Sequence, residues 1–192
     1  MRKKQVAVLI SGDGSNLQAL IDAAKANDYP ATIALVISNK EGVGGLARAQ
    51  KAGVATAVIS HKEYETRPQF EAAIHKTLEE AGIELICLAG FMRILNDHFV
   101  RVWEGKMLNI HPSLLPKYRG LNTHARAIKA GDKKAGCTVH WVVPELDAGP
   151  IIDQASVEVL VDDTPEVLAT RVKLQEHEIY PKALLKAALG LA

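Results

Sequence analysis

Three side chains in the second half of the 192-residue chain could share one reaction. Asn109 and His111 stand two positions apart in Met107-Leu-Asn-Ile-His111, and Asp147 lies in Glu145-Leu-Asp-Ala-Gly-Pro150. Alternate residues of a strand point to the same side, so this amide and imidazole would enter one cleft. An amide and an imidazolium together stabilise the oxyanion of an acyl transfer. A carboxylate keeps such an imidazole charged and oriented. No nucleophilic Ser or Cys is obvious beside them. Ser113 follows His111 closely, but there is no Gly-x-Ser-x-Gly elbow. The pattern favours direct transfer between two bound substrates over a covalent acyl-enzyme. Each residue also has a plain structural reading. A histidine at a strand end is often a hydrogen-bonded structural group, and Asp147 suits the cap of its own turn.

A second constellation, Gly12-Asp-Gly-Ser-Asn16, follows a short apolar run and precedes a helical pattern. Glycines there let backbone approach a ligand, and the free N–H groups and dipole of a helix start favour an anion. Ser15 and Asn16 can donate as well. The alternative is a tight strand-to-helix turn in which Ser15 or Asn16 caps the helix, and both readings stand on these residues. The dinucleotide fingerprint fails, because its third glycine is replaced by Leu17 and Val36-Ile37-Ser38-Asn39 offers no acid. A Walker loop fails for want of Gly-Lys-Ser/Thr. A monophosphate therefore fits better than NAD or ATP. Asp13 is the exception in this loop, since its carboxylate would repel an anion unless it points away.

The elements that must carry these residues alternate along the chain. Apolar runs at Gln5–Ile10, Thr32–Ile37, Val54–Ile59 and Leu85–Ala89 read as strands, the first two as buried on both faces of a parallel sheet. Helical patterns separate them, beginning after the glycine loop and then at 42–53 and 68–81, with Gly82 as a stop. Further on, 97–103 reads as a short helix, 107–110 as a strand, 112–120 as a loop and 123–130 as a helix. Cys137–Val143 and Ile151–Leu160 read as strands whose short connection makes them antiparallel. Thr164 caps a final helix with Pro165 in its first turn, and Pro181 is expected to break or kink it. The expected fold is a doubly wound, mostly parallel α/β sheet with an antiparallel C-terminal strand pair, as one domain over 1–192.

Composition closes off several function classes. Lys plus Arg is 23 and Asp plus Glu is 22, so a net charge of +1 gives no footprint for nucleic acid. No apolar run is long enough to span a bilayer, and the run after the basic Arg2-Lys3-Lys4 is too short for a signal core. Cys87 and Cys137 read as buried reduced thiols of a cytoplasmic protein. The seven His residues lack metal-ligand spacing, so no metal is expected.

Five segments, taken together, resemble the folate-dependent glycinamide ribonucleotide formyltransferases of purine synthesis. They are Ser11-Gly-Asp-Gly-Ser-Asn-Leu17, Ala89-Gly-Phe-Met-Arg-Ile-Leu95, Asn109-Ile-His-Pro-Ser-Leu-Leu-Pro116, Leu146-Asp-Ala-Gly-Pro150 and Gln175-Glu-His177. Their order and spacing cover essentially the whole chain. The resemblance implies transfer of the formyl group of 10-formyltetrahydrofolate to the amine of glycinamide ribonucleotide. It implies that Gly14, Ser15 and Asn16 hold the substrate phosphate and that Glu176 contacts the glycinamide end. Met92, Arg93, Ile94 and Leu95 would line the folate pocket, their backbone groups reading the pterin edge. Arg67 and Asn109 would also touch the formyl folate. Arg67 has a second reading as a solvated helix-start arginine, and Glu176 and His177 as an ordinary exposed pair. Asn109 and His111 would stabilise the tetrahedral oxyanion. Asp147 would hold the imidazolium and, through water, help remove the amine proton.

Two positions depart from the resemblance. Asp13 stands where a neutral or basic residue is usual, and Asn122 where a His is common. His140 receives no role above packing on its strand. Two related activities and one non-catalytic alternative, a silent phosphosugar- or folate-binding module, are less consistent with the chain. A methionyl-tRNA formyltransferase is expected to carry a C-terminal RNA-binding domain, and a formyltetrahydrofolate deformylase an N-terminal regulatory one. A silent binding module is expected to lack Asn109, His111 or Asp147. The implied partners are the two small-molecule substrates, without nucleic acid or membrane, and the sequence leaves a homodimer open.

Overall fold

Strand β1 (Lys4–Ile10) explains the layout of the molecule, because all its residues from Val6 to Ile10 have no solvent exposure. A strand buried on both faces must be covered on both faces. Val6, Val8 and Ile10 meet one apolar cluster, and Ala7 and Leu9 meet the other. The computed structural model describes residues 2–192, so Met1, the first residue of the expected domain, lies outside the described residues.

The chain continues as α1 (Ser15–Ala24), β2 (Ala31–Ser38), α2 (Gly44–Lys51), β3 (Ala55–Val58), α3 (Arg67–Glu80) and β4 (Leu85–Leu88). Then follow α4 (Asp97–Val102), β5 (Met107–His111), α5 (Thr123–Lys129), β6 (Lys134–Trp141), β7 (Ile151–Glu158) and α6 (Pro165–Ala188). A short 3₁₀ turn at His61–Glu63, which the sequence pattern does not signal, precedes α3. The seven strands are ordered β3-β2-β1-β4-β5-β6-β7. Strands β1 to β5 run parallel, and β6 and β7 add antiparallel. This is the doubly wound α/β sheet with an antiparallel C-terminal pair that the pattern of runs indicates.

Residues of α1 and α6 pack into one apolar cluster, and those of α3 and α4 into the other. The ends of α3 are set by local chemistry. Thr66 and Gln69 form a reciprocal capping box, and Gly82, at φ 63°, closes the helix by donating to the Glu79 carbonyl while Ile83 donates to Leu78. Both cysteines are free and buried, and burial pushes both thiols up to about 12, far from a reactive thiolate.

Two expectations need correction. Strand β6 begins at Lys134, where it pairs with Glu158, and it ends at Trp141 rather than Val143. Lys134 and Gly136 carry no strand signal of their own; the ladder with β7 recruits them. Pro181 does not break α6, which is one helix from Pro165 to Ala188. An interior proline costs about 3 kcal/mol. Tyr180, Ala183 and Leu184 are fully buried around it, and each large side chain returns about 1.5–3 kcal/mol. The Tyr29 hydroxyl also donates to the Pro181 carbonyl at 2.7 Å.

Tyr180 ties this helix to the sheet. Its buried hydroxyl donates to the carbonyl of Leu88 at 2.8 Å and lies 3.3 Å from that of Leu108, at adjacent points of β4 and β5. Tyr180→Phe should therefore lower unfolding free energy by about 0.5–1.5 kcal/mol, the net worth of the buried hydrogen bond it loses. Urea unfolding with an unchanged m-value checks this.

Candidate functional site

The strand order reverses between β1 and β4. In open α/β sheets the crevice outside the carboxyl ends of such strands is where ligands bind. Here β1 delivers Ser11 and the glycine loop to that crevice, β4 delivers the loop from Gly90 to Asn96, and β5 ends on His111.

Asn109 and His111 occupy alternate positions of β5, and Asp147 reaches them from the turn between β6 and β7. His111 Nδ1 lies 3.4 Å from Asp147 Oδ2, with both side chains only 7% exposed. His111 Nε2 donates to the Tyr118 carbonyl at 2.9 Å. Both partners accept only, so the contacts are met in full when the ring carries protons on both nitrogens. Asp147 Oδ2 also accepts the Gly120 N–H at 2.9 Å. Asp147 adopts φ 49°, a costly backbone for a non-glycine residue, and its carboxylate turns to the imidazole rather than capping its own turn. Gly149 makes that turn possible, because any side chain there would collide with the Trp141 carbonyl.

The sequence reading missed His140. It pairs directly with Asn109 across the β5–β6 ladder. Its Nδ1 faces the Trp141 carbonyl at 2.8 Å, which can only accept, so Nδ1 holds the ring proton. Its Nε2 is then a lone pair, and it accepts from Asn109 Nδ2 at 3.2 Å. This fixes which way the Asn109 amide faces and leaves its second N–H for a ligand. Burial lowers the His140 pKa, opposed by the Trp141 carbonyl and the Asp147 charge. The only advance signal was the antiparallel register, which a sequence pattern does not supply.

The glycine loop resolves one alternative. Gly14, at φ 77°, is the N-cap of α1 and makes no side-chain cap bond, so neither Ser15 nor Asn16 is spent as a cap. A Cβ on Gly14 would lie 2.5 Å from the Gly45 Cα, which excludes other residues. The first backbone N–H of α1 that closes onto the loop belongs to Gln18, so those of Ser15, Asn16 and Leu17 have no acceptor among the described residues. Asp13 does not face this array: Arg48 holds its carboxylate at 3.1 Å and its carbonyl at 2.8 Å. Asn16 Nδ2 donates to Glu176 Oε2 at 2.7 Å, which places the buried Glu176 beside the loop. Asn122, φ 57°, opens α5 without a side-chain cap.

The loop after β4 exposes Met92 and Ile94, at 62% and 67%, while Leu95 is buried beneath them. Arg93 is exposed. The backbone groups of Arg93, Ile94 and Leu95 have no hydrogen-bond partners among the described residues. Arg67 starts α3, is exposed, and forms no ion pair among the described residues. Nor is any group of three or more His, Cys, Asp or Glu there arranged to hold a metal ion.

The formyl transferase family model matches residues 4–184. The phosphoribosylglycinamide formyltransferase of Haemophilus influenzae is 49% identical over 178 residues, 93% of this chain and 84% of that protein. The human trifunctional purine biosynthetic protein adenosine-3 is 54% identical over 189 residues, 98% of this chain. This chain spans about a fifth of the length of that relative and of its chicken and bovine counterparts. The crystal structure of phosphoribosylglycinamide formyltransferase from Brucella melitensis superposes with a TM-score of 0.94 at 50% identity, covering 100% of this chain and 98% of that one. With the family model spanning nearly all of its length, the chain belongs to the formyl transferase family.

Proposed function

We propose that this chain transfers the formyl group of 10-formyltetrahydrofolate to the amine of glycinamide ribonucleotide, as one domain working in the cytoplasm without a metal. The observation that carries the reading is an amide–imidazole–carboxylate cluster, with His111 and the Asp147 carboxylate buried, in the crevice onto which two sets of unpaired backbone groups also open. One set, at the start of α1, suits a phosphate. The other, at Arg93 to Leu95, suits the donor and acceptor edge of a pterin, with Met92 and Ile94 beside it.

Gly14, Ser15 and Asn16 hold the ribonucleotide phosphate, and Glu176, steadied by Asn16, meets the glycinamide end. Arg67 and the loop from Met92 to Leu95 hold the folate. The substrate nitrogen attacks the formyl carbon, and the carbonyl electrons move onto oxygen. The free N–H of Asn109 donates to that oxyanion, and the charge of the His111 imidazolium, whose two N–H groups are held by Asp147 and the Tyr118 carbonyl, stabilises it through space. Asp147 balances the imidazolium and accepts, through water, the proton lost by the amine. The C–N bond to the folate then breaks, and the folate nitrogen leaves with a proton. His140 keeps the Asn109 amide facing the reaction.

The decisive experiment mixes the protein with 10-formyltetrahydrofolate, with and without glycinamide ribonucleotide, and follows formyl loss by absorbance. Loss only with the ribonucleotide is expected; loss without it would mean a hydrolase. Asn109→Ala, His111→Ala and Asp147→Asn should each lower kcat by roughly 10²–10³-fold. Near-normal kcat in His111→Ala would remove its role. Ser15→Asp should raise KM for the ribonucleotide and leave folate binding unchanged, since it sets a carboxylate against the phosphate.

His140 adds a pH dependence of known sign. Burial lowers its folded pKa, so the unfolded chain takes up the proton first as pH falls. Its contribution is complete above the unfolded value of about 6.5 and is lost as pH drops below that value toward the folded pKa. Unfolding free energy should fall between pH 7 and 5, and His140→Gln should flatten that slope.

A further inference from the structure

The seven residues from Gly90 to Asn96 form no regular structure, yet they follow a fully buried strand and end at a helix cap. Only two backbone N–H groups in this stretch are hydrogen-bonded to protein among the described residues. Met92 donates to Ser11 Oγ at 2.8 Å, and Asn96 donates to Glu71 Oε1 at 2.7 Å. Neither acceptor belongs to the cluster around His111.

Both acceptors are buried, Ser11 at 5% exposure and Glu71 at 3%. Burying a polar side chain costs free energy unless it is bonded, so each needs a reason to be there. Ser11 is fixed in turn, since its hydroxyl donates to Asn39 Oδ1 at 2.5 Å and Asn39 is 2% exposed. One hydroxyl thus joins the exits of three strands: it follows β1, is braced by Asn39 just after β2, and grips the loop after β4. Glu71 reaches the other end of the loop from α3, and its Oε2 is buried without a partner. A carboxylate kept under such conditions is working through its other oxygen.

We propose that Ser11 and Glu71 are positioning residues for folate binding, holding the loop from Met92 to Leu95 at its two ends so that its unpaired backbone groups face the pterin. The inference rests on the folate reading of that loop. An untethered loop would have to be ordered at the moment of binding, and that entropy would be subtracted from affinity. Ser11 also adjoins the glycine loop, so the tether sets the distance between the two substrate sites.

The test uses Glu71→Leu, Glu71→Gln, Ser11→Ala and Ser11→Thr. Leucine removes the acceptor for Asn96, whereas glutamine keeps an oxygen there. Alanine removes the acceptor for Met92, whereas threonine keeps the hydroxyl. Glu71→Leu and Ser11→Ala should raise KM for formyl folate roughly 5- to 50-fold, as expected for a lost buried hydrogen bond. KM for the ribonucleotide should stay within about twofold, kcat should fall in Ser11→Ala because the spacing of the two sites loosens, and Glu71→Gln and Ser11→Thr should restore most of the loss. Equal loss in both KM values, or failure of both conservative variants to rescue, would overturn the proposal. Folate affinity is also read directly by fluorescence titration of 5-formyltetrahydrofolate. If the unaltered protein binds this folate but transfers no formyl group, the proposed reaction fails while the tether is still tested by titration. Unaltered affinity in both Glu71→Leu and Ser11→Ala would sink the tether alone.

Discussion

Asp147 sets the hardest constraint in this molecule. A carboxylate at 7% side-chain exposure must be compensated, because a charge taken out of water costs several kcal/mol unless polar groups meet it. His111 and the Gly120 N–H supply that compensation. To reach them Asp147 takes a left-handed backbone, Gly149 lies flat against Trp141, and the turn between β6 and β7, which leaves the sheet beside the start of β5, folds back toward Asn109 and His111. The loop after His111 must also fold back, since the Tyr118 carbonyl and the Gly120 N–H both close onto this pair. The antiparallel end of the sheet is therefore the device that brings a carboxylate to a parallel-sheet crevice.

A division of labour follows. The interior of the sheet is buried, and strand register fixes Asn109, His111 and His140 on it. The surfaces proposed to meet substrate are made of backbone: the first turn of α1 and the loop after β4. Backbone groups left unpaired in the free protein cost little while water reaches them. They also present fixed dipoles when a ligand replaces that water.

Much of the fold was legible because buried parallel strands are written as continuous apolar runs, and β1, β2 and β4 are of this kind. Legibility failed where tertiary pairing overrides local preference. Lys134 and Gly136 join β6 only because β7 lies beside them, and Pro181 stays helical only because Tyr180 and Leu184 are buried around it. In the site, Asn109 and His111 were legible from alternation on one strand. His140 was not, since its meaning depends on facing Asn109 across a ladder that sequence does not align. The threat posed by Asp13 also vanishes only in three dimensions, where Arg48 turns the carboxylate away.

Direct transfer demands more of a protein than a covalent route does, because both substrates must be present together at a fixed separation. Holding two reactants in place can supply roughly 7–11 kcal/mol of a barrier, provided that the holders do not drift relative to each other. Here both holders spring from the reversal point of one sheet, and one buried side chain, Ser11, directly follows β1 and touches the loop after β4. Flexible loops attached to distant elements would let that separation wander. Neighbouring strand ends joined through a buried hydroxyl keep it short and constant, as the proposed direct transfer requires.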